Sequence, residues 1–270
     1  MLSRAGTEAA LAGVFPLYPR RRVRGRPFGS MPSSRRGGCF DPVSSRPYRP
    51  GDDLRRIDRH ASARLSAARD SDELVVREHY AEEAARVVLL VDPAPTMALY
   101  PEPLPWLRKP AAVESAARVI AASAYRARCP LDRYEASLEA AAELQVPRGT
   151  FVFVLSDFLD PPDEEAWLTA LDRGLDLIPV LVQDPVWEQS FPQVDGPVLP
   201  VVDPLDGRMR RVRLRRHEAA ERRAANEARL ARLVEALEQL GLEPVLLGSA
   251  DEERVLDGFQ RWADVRRRSA

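Results

Sequence analysis

Two apolar runs in this chain stop in the same way. Arg86–Asp92 reads RVVLLVD and Thr150–Asp157 reads TFVFVLSD. An unbroken run of branched and large apolar residues fits a strand buried on both faces, as in a parallel sheet. The terminal Asp then stands at the carboxyl end of the strand. LDLIPVLVQ from Leu175 and EPVLLG from Glu243 fit two more core strands, and ELVVREHY from Glu73 a more exposed one. Between the core strands the apolar spacing turns helical. Ala111–Arg128 places Val113, Ala117, Ile120, Ala121 and Ala124 on one side, and His217–Leu240 does the same with Leu230, Leu233, Val234, Leu237 and Leu240. Asp160-Pro161 fits a helix start and Asp251 another. Asp132 with Glu135 fits a capping pair, which predicts a second helix there with Leu138, Ala141, Ala142 and Leu144 on its inner face. Asp206-Gly207 between Val198–Val202 and Met209–Leu214 predicts a late β-hairpin. Strands alternating with helices make this an α/β chain with a mostly parallel sheet.

The chain has 270 residues, 45% of them hydrophobic and 30% charged, enough apolar material for a real core. Its net charge of −1 excludes a molecule built throughout to coat nucleic acid or an anionic membrane. The charge is uneven: residues 1–50 carry ten Arg against only Glu8 and Asp41. RRVRGRPFGSMPSSRRGG reads as a poorly ordered basic arm, taken as residues 1–39. Few aromatics interleave with its arginines, so nucleic acid is not the expected partner. No apolar run approaches the roughly 20 residues of a bilayer span. AALAGVFPLY is short and broken by Pro16, with its arginines on the wrong side for a signal peptide. Cys39 and Cys129 have no metal-ligand neighbours and make no disulfide framework, so a reducing cytoplasm is the expected setting.

Ligands of open α/β sheets sit beyond the carboxyl ends of the strands. Asp92 and Asp157 are delivered there, and Thr96 follows four residues after Asp92. Together they form a candidate oxygen site for Mg²⁺; the alternative role of both carboxylates is to cap the segments that follow. A second charged cluster lies in YRPGDDLRRIDRHASAR, Tyr48–Arg64. Pro50-Gly51 fits a tight turn, and Asp52 or Asp53 fits the cap of a short helical turn. Asp52 and Asp53 are four and three residues before Arg56, at pairing distance on a helix. With Arg55, Asp58 and Arg64, and with Arg77 and Glu78 from the following strand, they are expected to form a partly buried ion-pair network. That network would lock residues 40–86 onto the sheet of residues 87–267. So many guanidinium groups would depress carboxylate pKa values, which speaks against an acid catalyst.

YRPGDDLRRIDRHASAR, LVVREHYAEEAARVVLLVDPAPTM and FVFVLSDFLDP together resemble the family called domain of unknown function 58. The resemblance implies a von Willebrand factor A-like, Rossmann-like sheet with an N-terminal extension. It also implies a non-enzymatic, protein-binding role, with a MoxR-type AAA+ ATPase as partner in chaperone-like assembly or maturation. In type A domains a metal-ion-dependent adhesion site holds a divalent cation through an Asp-x-Ser-x-Ser loop, a Thr on a later loop and an Asp after a later strand.

This chain departs from that pattern. Asp92 and Thr96 match the ends of the first motif, but its middle Ser is Ala94. No Thr stands between Cys129 and Phe151, beyond Thr150 itself, where the later loop would fall. The strand that normally follows the first long helix is expected to be missing. Arg59 replaces a Trp common in the family. The expected site is therefore degenerate, holding Mg²⁺ weakly or not at all, with no catalytic residue. The rival reading is a metal-assisted phosphoryl hydrolase using Asp92 and Asp157, by analogy with the Asp-x-Asp-x-Thr of haloacid-dehalogenase phosphatases. Ala94 lacks the general acid/base that chemistry needs, and Lys109, the sole lysine, falls in a Pro-rich loop. No Walker sequence or nucleophile elbow is present.

Overall fold

The two Asp-terminated runs are the two central strands of a five-stranded parallel sheet. The computed structural model describes residues 13–20, 26–36, 42–69, 73–98, 107–141, 143–202 and 208–269. The sheet comprises β4 (Val87–Val91), β5 (Leu131–Glu135), β6 (Phe151–Ser156), β7 (Asp176–Val182) and β10 (Val245–Leu247), in the order β5-β4-β6-β7-β10. Every neighbouring pair is parallel.

Successive strand residues face opposite sides, and both sides are covered. Val87 and Leu89 of β4 and Phe151, Phe153 and Leu155 of β6 pack with α2 (Lys109–Arg126) and the final helix α6 (Glu252–Ser269). Val88, Leu90, Val152 and Val154 face α3 (Leu138–Ala141), α4 (Glu164–Asp172) and α5 (Arg216–Gln239). Leu230, Leu233, Val234, Leu237 and Leu240 all reach this second core, as the stripe in the sequence predicts. The chain leaves β4 in one direction through α2, then returns past it to β6, β7 and β10. Right-handed crossovers put helices travelling in opposite directions on opposite faces, which accounts for the two layers.

Two expectations are corrected here. The strand expected to be missing after the first long helix is present as β5, in place of the helix predicted from Asp132. It pairs with β4 from Val87↔Leu131 to Val91↔Glu135. Leu131-Asp-Arg-Tyr-Glu is an edge strand, exposed or half-buried along its length, so it lacks the apolar run that marks its neighbours. Only Leu138–Ala141 remains of the predicted helix.

The segment expected as a disordered arm is also partly built into the core. Phe15 and Leu17 are buried. The Phe15 ring stacks on Phe259 at 4.8 Å and meets Trp262 edge-on at 5.8 Å. Its backbone N–H donates to Ser123 Oγ at 3.0 Å. Phe15 and Leu17 are apolar because they pack against α2 and α6. Farther on, β1 (Arg26–Arg36) and β2 (Pro42–Pro47) flank β3 (Val75–Ala84) in an antiparallel three-stranded sheet. The late hairpin is present as β8 (Val198–Val202) and β9 (Met209–Arg213). No helix among the described residues is long and apolar enough to cross a membrane.

A buried ion network fastens the first segment to the last helix. Arg266 is 2% exposed and lies 2.9 Å from Asp176 Oδ1. Its Nε donates to Glu243 Oε2 at 2.7 Å, and Nη1 donates to the Tyr18 carbonyl at 3.2 Å. Arg20 pairs with Glu243, and its backbone N–H donates to Asp176 Oδ2 at 3.0 Å. Burial pushes the Asp176 carboxyl up, against the pull of Arg266 and Arg20.

The Tyr48–Arg64 stretch resolves into local joints. Arg49 carbonyl accepts from Asp52 N–H across Pro50-Gly51, with Gly51 at φ 102°, a conformation suited to glycine. Asp53 accepts from Arg55 N–H and caps one 3₁₀ turn, Leu54–Arg56. Asp58 accepts from the N–H groups of His60 and Ala61, capping α1 (Arg59–Arg69). Ser62 Oγ accepts from Val75 N–H at 2.9 Å and so ties α1 to β3. We expect Asp58→Ala to lower the unfolding free energy by about 1 kcal/mol, the usual worth of an N-cap. Urea denaturation measures this, and an unchanged midpoint would contradict it.

Candidate functional site at the carboxyl edge of the sheet

Strand order reverses at β4, so the gap between the carboxyl ends of β4 and β6 is a topological switch point, where open α/β sheets place ligands. Register brings Val91 beside Leu155, which sets Asp92 next to Ser156 and Asp157. The Ser156 hydroxyl donates to Asp92 Oδ2 at 2.5 Å, and Ala94 N–H donates to Oδ1 at 2.9 Å. Asp92 is half-buried, whereas Asp157 is 1% exposed.

Lys109 fills the space beside Asp157. It is fully buried at 0% exposure in the first turn of α2. Its ammonium donates to Asp157 Oδ2 at 2.8 Å and to the Thr96 carbonyl at 2.9 Å. It also forms an ion pair with Glu188 Oε1. The three oxygens come from the turn after β4, the end of β6 and the loop after β7. Thr96 thus contributes its backbone oxygen. Burial pushes the Glu188 carboxyl up, opposed chiefly by the Lys109 charge.

The end of β7 completes this floor. Gln183 and Asp184 are both fully buried. Gln183 Nε2 donates to the Asp157 carbonyl. Asp184 accepts from Leu107 N–H at 2.8 Å, which holds the entry to α2, and its own N–H donates to Glu188 Oε2 at 2.7 Å. Arg229 of α5 donates to the Glu188 carbonyl at 2.7 Å. Phe158, directly after Asp157, has φ 47°, a left-handed conformation unusual for a non-glycine residue. Its N–H donates to Ser156 Oγ, and its ring packs near Trp167 at 5.9 Å. The chain therefore turns sharply here while Asp157 stays inward.

Sequence reasoning brought Asp92, Thr96 and Asp157 to one edge, and the structure does the same. It missed Lys109, Ser156, Gln183, Asp184 and Glu188. Two signals were available: Lys109 is the only lysine, and LVQDP repeats the strand-then-Asp ending of LLVDP and VLSDF.

The donor set is a poor fit for Mg²⁺, which needs near-octahedral oxygens at close range. Asp157 is engaged by an ammonium, Ala94 offers no side-chain oxygen, and Asp92 is turned to Ser156. Among the described residues no group of three His, Cys, Asp or Glu side chains is placed to hold a metal.

The charged N-terminal cluster lies apart from this edge, on the segment that joins β2 to β3. Asp52 forms a two-pronged pair with Arg46, at 2.7 Å and 2.6 Å. The Arg46 guanidinium and the Arg49 N–H hold the Asp52 carboxyl down at about 2. Arg55 and Arg64 are exposed, Asp53 and Asp58 act as the caps described above, and the side chains of Arg56, Arg77 and Glu78 lie outside those described. The buried ion network that docks an N-terminal piece onto the sheet is the one at Asp176.

Residues 44–128, which contain this cluster, β3, β4, Asp92, Thr96 and Lys109, match the model of the family described as protein of unknown function DUF58. Over that stretch the chain is similar to the DUF58 family. Neither the curated proteins nor the solved structures gave a match. The DUF58 match ends two residues after α2 and takes in the first half of the switch-point site. The other half, Ser156, Asp157 and Glu188, comes from beyond it.

Proposed function

We propose that this protein is a non-enzymatic interaction module of von Willebrand factor A-like type. In this reading it works beside a MoxR-type AAA+ ATPase in chaperone-like assembly or maturation. The observation that carries the non-enzymatic part is the closure of Asp157. A carboxylate serving as nucleophile, base or metal ligand must meet substrate or ion. This one is buried against the Lys109 ammonium. The rival, a metal-assisted phosphoryl hydrolase using Asp92 and Asp157, asks for an open pair of carboxylates. Here one of the two is occupied and the other accepts from Ser156. The doubly wound sheet and the DUF58 match support the type A-like reading. The ATPase partner follows from the family resemblance.

Two measurements test this. A tagged full-length chain should capture a MoxR-type ATPase from the same source, in a nucleotide-dependent manner. The same chain should hydrolyse p-nitrophenyl phosphate with Mg²⁺ or Mn²⁺ no faster than buffer. Turnover that disappears on Asp92→Asn would overturn the non-enzymatic reading, and failure to capture purified ATPase would overturn the partner.

A further inference from the structure

We propose that Lys109 is a tethered cation, standing where a divalent ion would otherwise bridge the strand ends, and that this edge of the fold is permanently metal-independent. The proposal rests on four observations. First, the ammonium meets oxygens from three separate segments, Thr96, Asp157 and Glu188. Joining such segments is what a bound ion does at a switch point. The ammonium donates to two of these oxygens and forms an ion pair with the third.

Second, helix geometry alone does not favour a lysine there. The first turn of a helix is the positive end of its dipole and disfavours a cation, so the carboxylates must be what holds it. Third, two acidic side chains at 2% exposure each converge on one buried cation. Arg229 adds a donor from the far side through the Glu188 carbonyl. Without a cation, Asp157 and Glu188 would face each other unscreened. Fourth, Asp92 lies outside this trio and is satisfied by Ser156 and Ala94. The buried oxygens thus surround one charge that cannot dissociate from the chain. No acidic side chain of a partner can enter the coordination of this cation, as it would at an ion with an open position.

Because Lys109 is the only lysine, ¹⁵N-lysine labelling of the full chain gives a single side-chain signal. The expected result is a slowly exchanging NζH₃⁺ resonance that survives addition of Mn²⁺ without paramagnetic broadening. Broadening of that resonance by stoichiometric Mn²⁺, or its loss to rapid solvent exchange, would overturn the proposal. Lys109→Ala supplies the converse test. It should create one saturable Mn²⁺ site, seen by paramagnetic resonance, and Mg²⁺ should then raise its melting temperature. Adding Asp157→Asn should abolish that site. A folded Lys109→Ala protein that gains no cation affinity would count against the proposal. Where Lys109→Ala does not fold, the labelling experiment on the unmodified chain decides alone.

Discussion

Lys109→Met lowers the stability of this protein by about 3–5 kcal/mol, the usual cost of removing one member of a buried ion pair. For a chain of this size that is a fall of roughly 5–10 °C in melting temperature. The cause is the pair of carboxylates left behind. Asp157 and Glu188 are each almost wholly buried, and methionine fills the volume without offering a donor. The loss carries a pH signature. Burial already pushes the Glu188 carboxyl up, and removing the ammonium raises it further. A raised acid takes up a proton in the folded state before the unfolded state does. The deficit of Lys109→Met therefore shrinks as the pH falls through the raised Glu188 value and is largest above it. Combining Lys109→Met with Asp157→Asn and Glu188→Gln should recover much of the loss, since a neutral network avoids the unpaired charges. Denaturant midpoints of the single and triple variants across the acidic range measure both effects. A single variant as stable as the parent at neutral pH would contradict the buried pairing.

Arg266→Leu has a comparable effect, about 3–5 kcal/mol by the same argument, but from the opposite edge of the sheet. Among the described residues it leaves Asp176, at 4% exposure, with Arg20 alone to answer it, and it removes the contact to the Tyr18 carbonyl. It also strips the guanidinium from the face of Trp262, 4.9 Å away. Because Phe15 and Leu17 lie on the same strip, the variant should expose the N-terminal segment before the sheet opens. Limited proteolysis should cut near residue 20 well below the melting temperature, whereas the parent resists. Hydrogen exchange of Phe15, whose amide is held by Ser123, gives the same reading residue by residue. Equal protection in parent and variant would show that the network does not hold the segment.

What could be read in the sequence followed burial on both faces. β4, β6 and β7 are continuous apolar runs because every side chain along them meets a core. α5 shows its stripe because one face meets the sheet and the other meets solvent. β8 and β9 pair as the Asp206-Gly207 step leads one to expect, with the turn itself outside the described residues. β5 could not be read in this way. Its outer edge has no strand neighbour among the described residues, so Asp132, Arg133 and Glu135 are permitted, and a capping pair looked equally good. Phe15 and Leu17 were hidden by the arginines that follow them. The candidate site divides similarly. Asp92 and Asp157 are visible because each ends a strong strand. Lys109 gains its meaning only from partners 48 residues away at Asp157 and farther still at Glu188. In the Tyr48–Arg64 stretch, charge spacing pointed to Asp52–Arg56. The formed pair reaches back to Arg46, because the Pro50-Gly51 turn folds Asp52 onto β2.

The strip from Phe15 to Arg20 imposes an order on assembly. Tyr18 and Arg266 are 248 positions apart in the chain, so a ribosome must deliver nearly everything between them before they can meet. Until then the first apolar strip has no resting place, and Asp176 of β7 lacks its buried Arg266 partner. Closing so wide a loop is slow, and a transcript cut short before the last turn of α6 would yield a chain with an open seam. Quality control would meet such a product as exposed aromatic surface near its beginning, although the damage lies at its end.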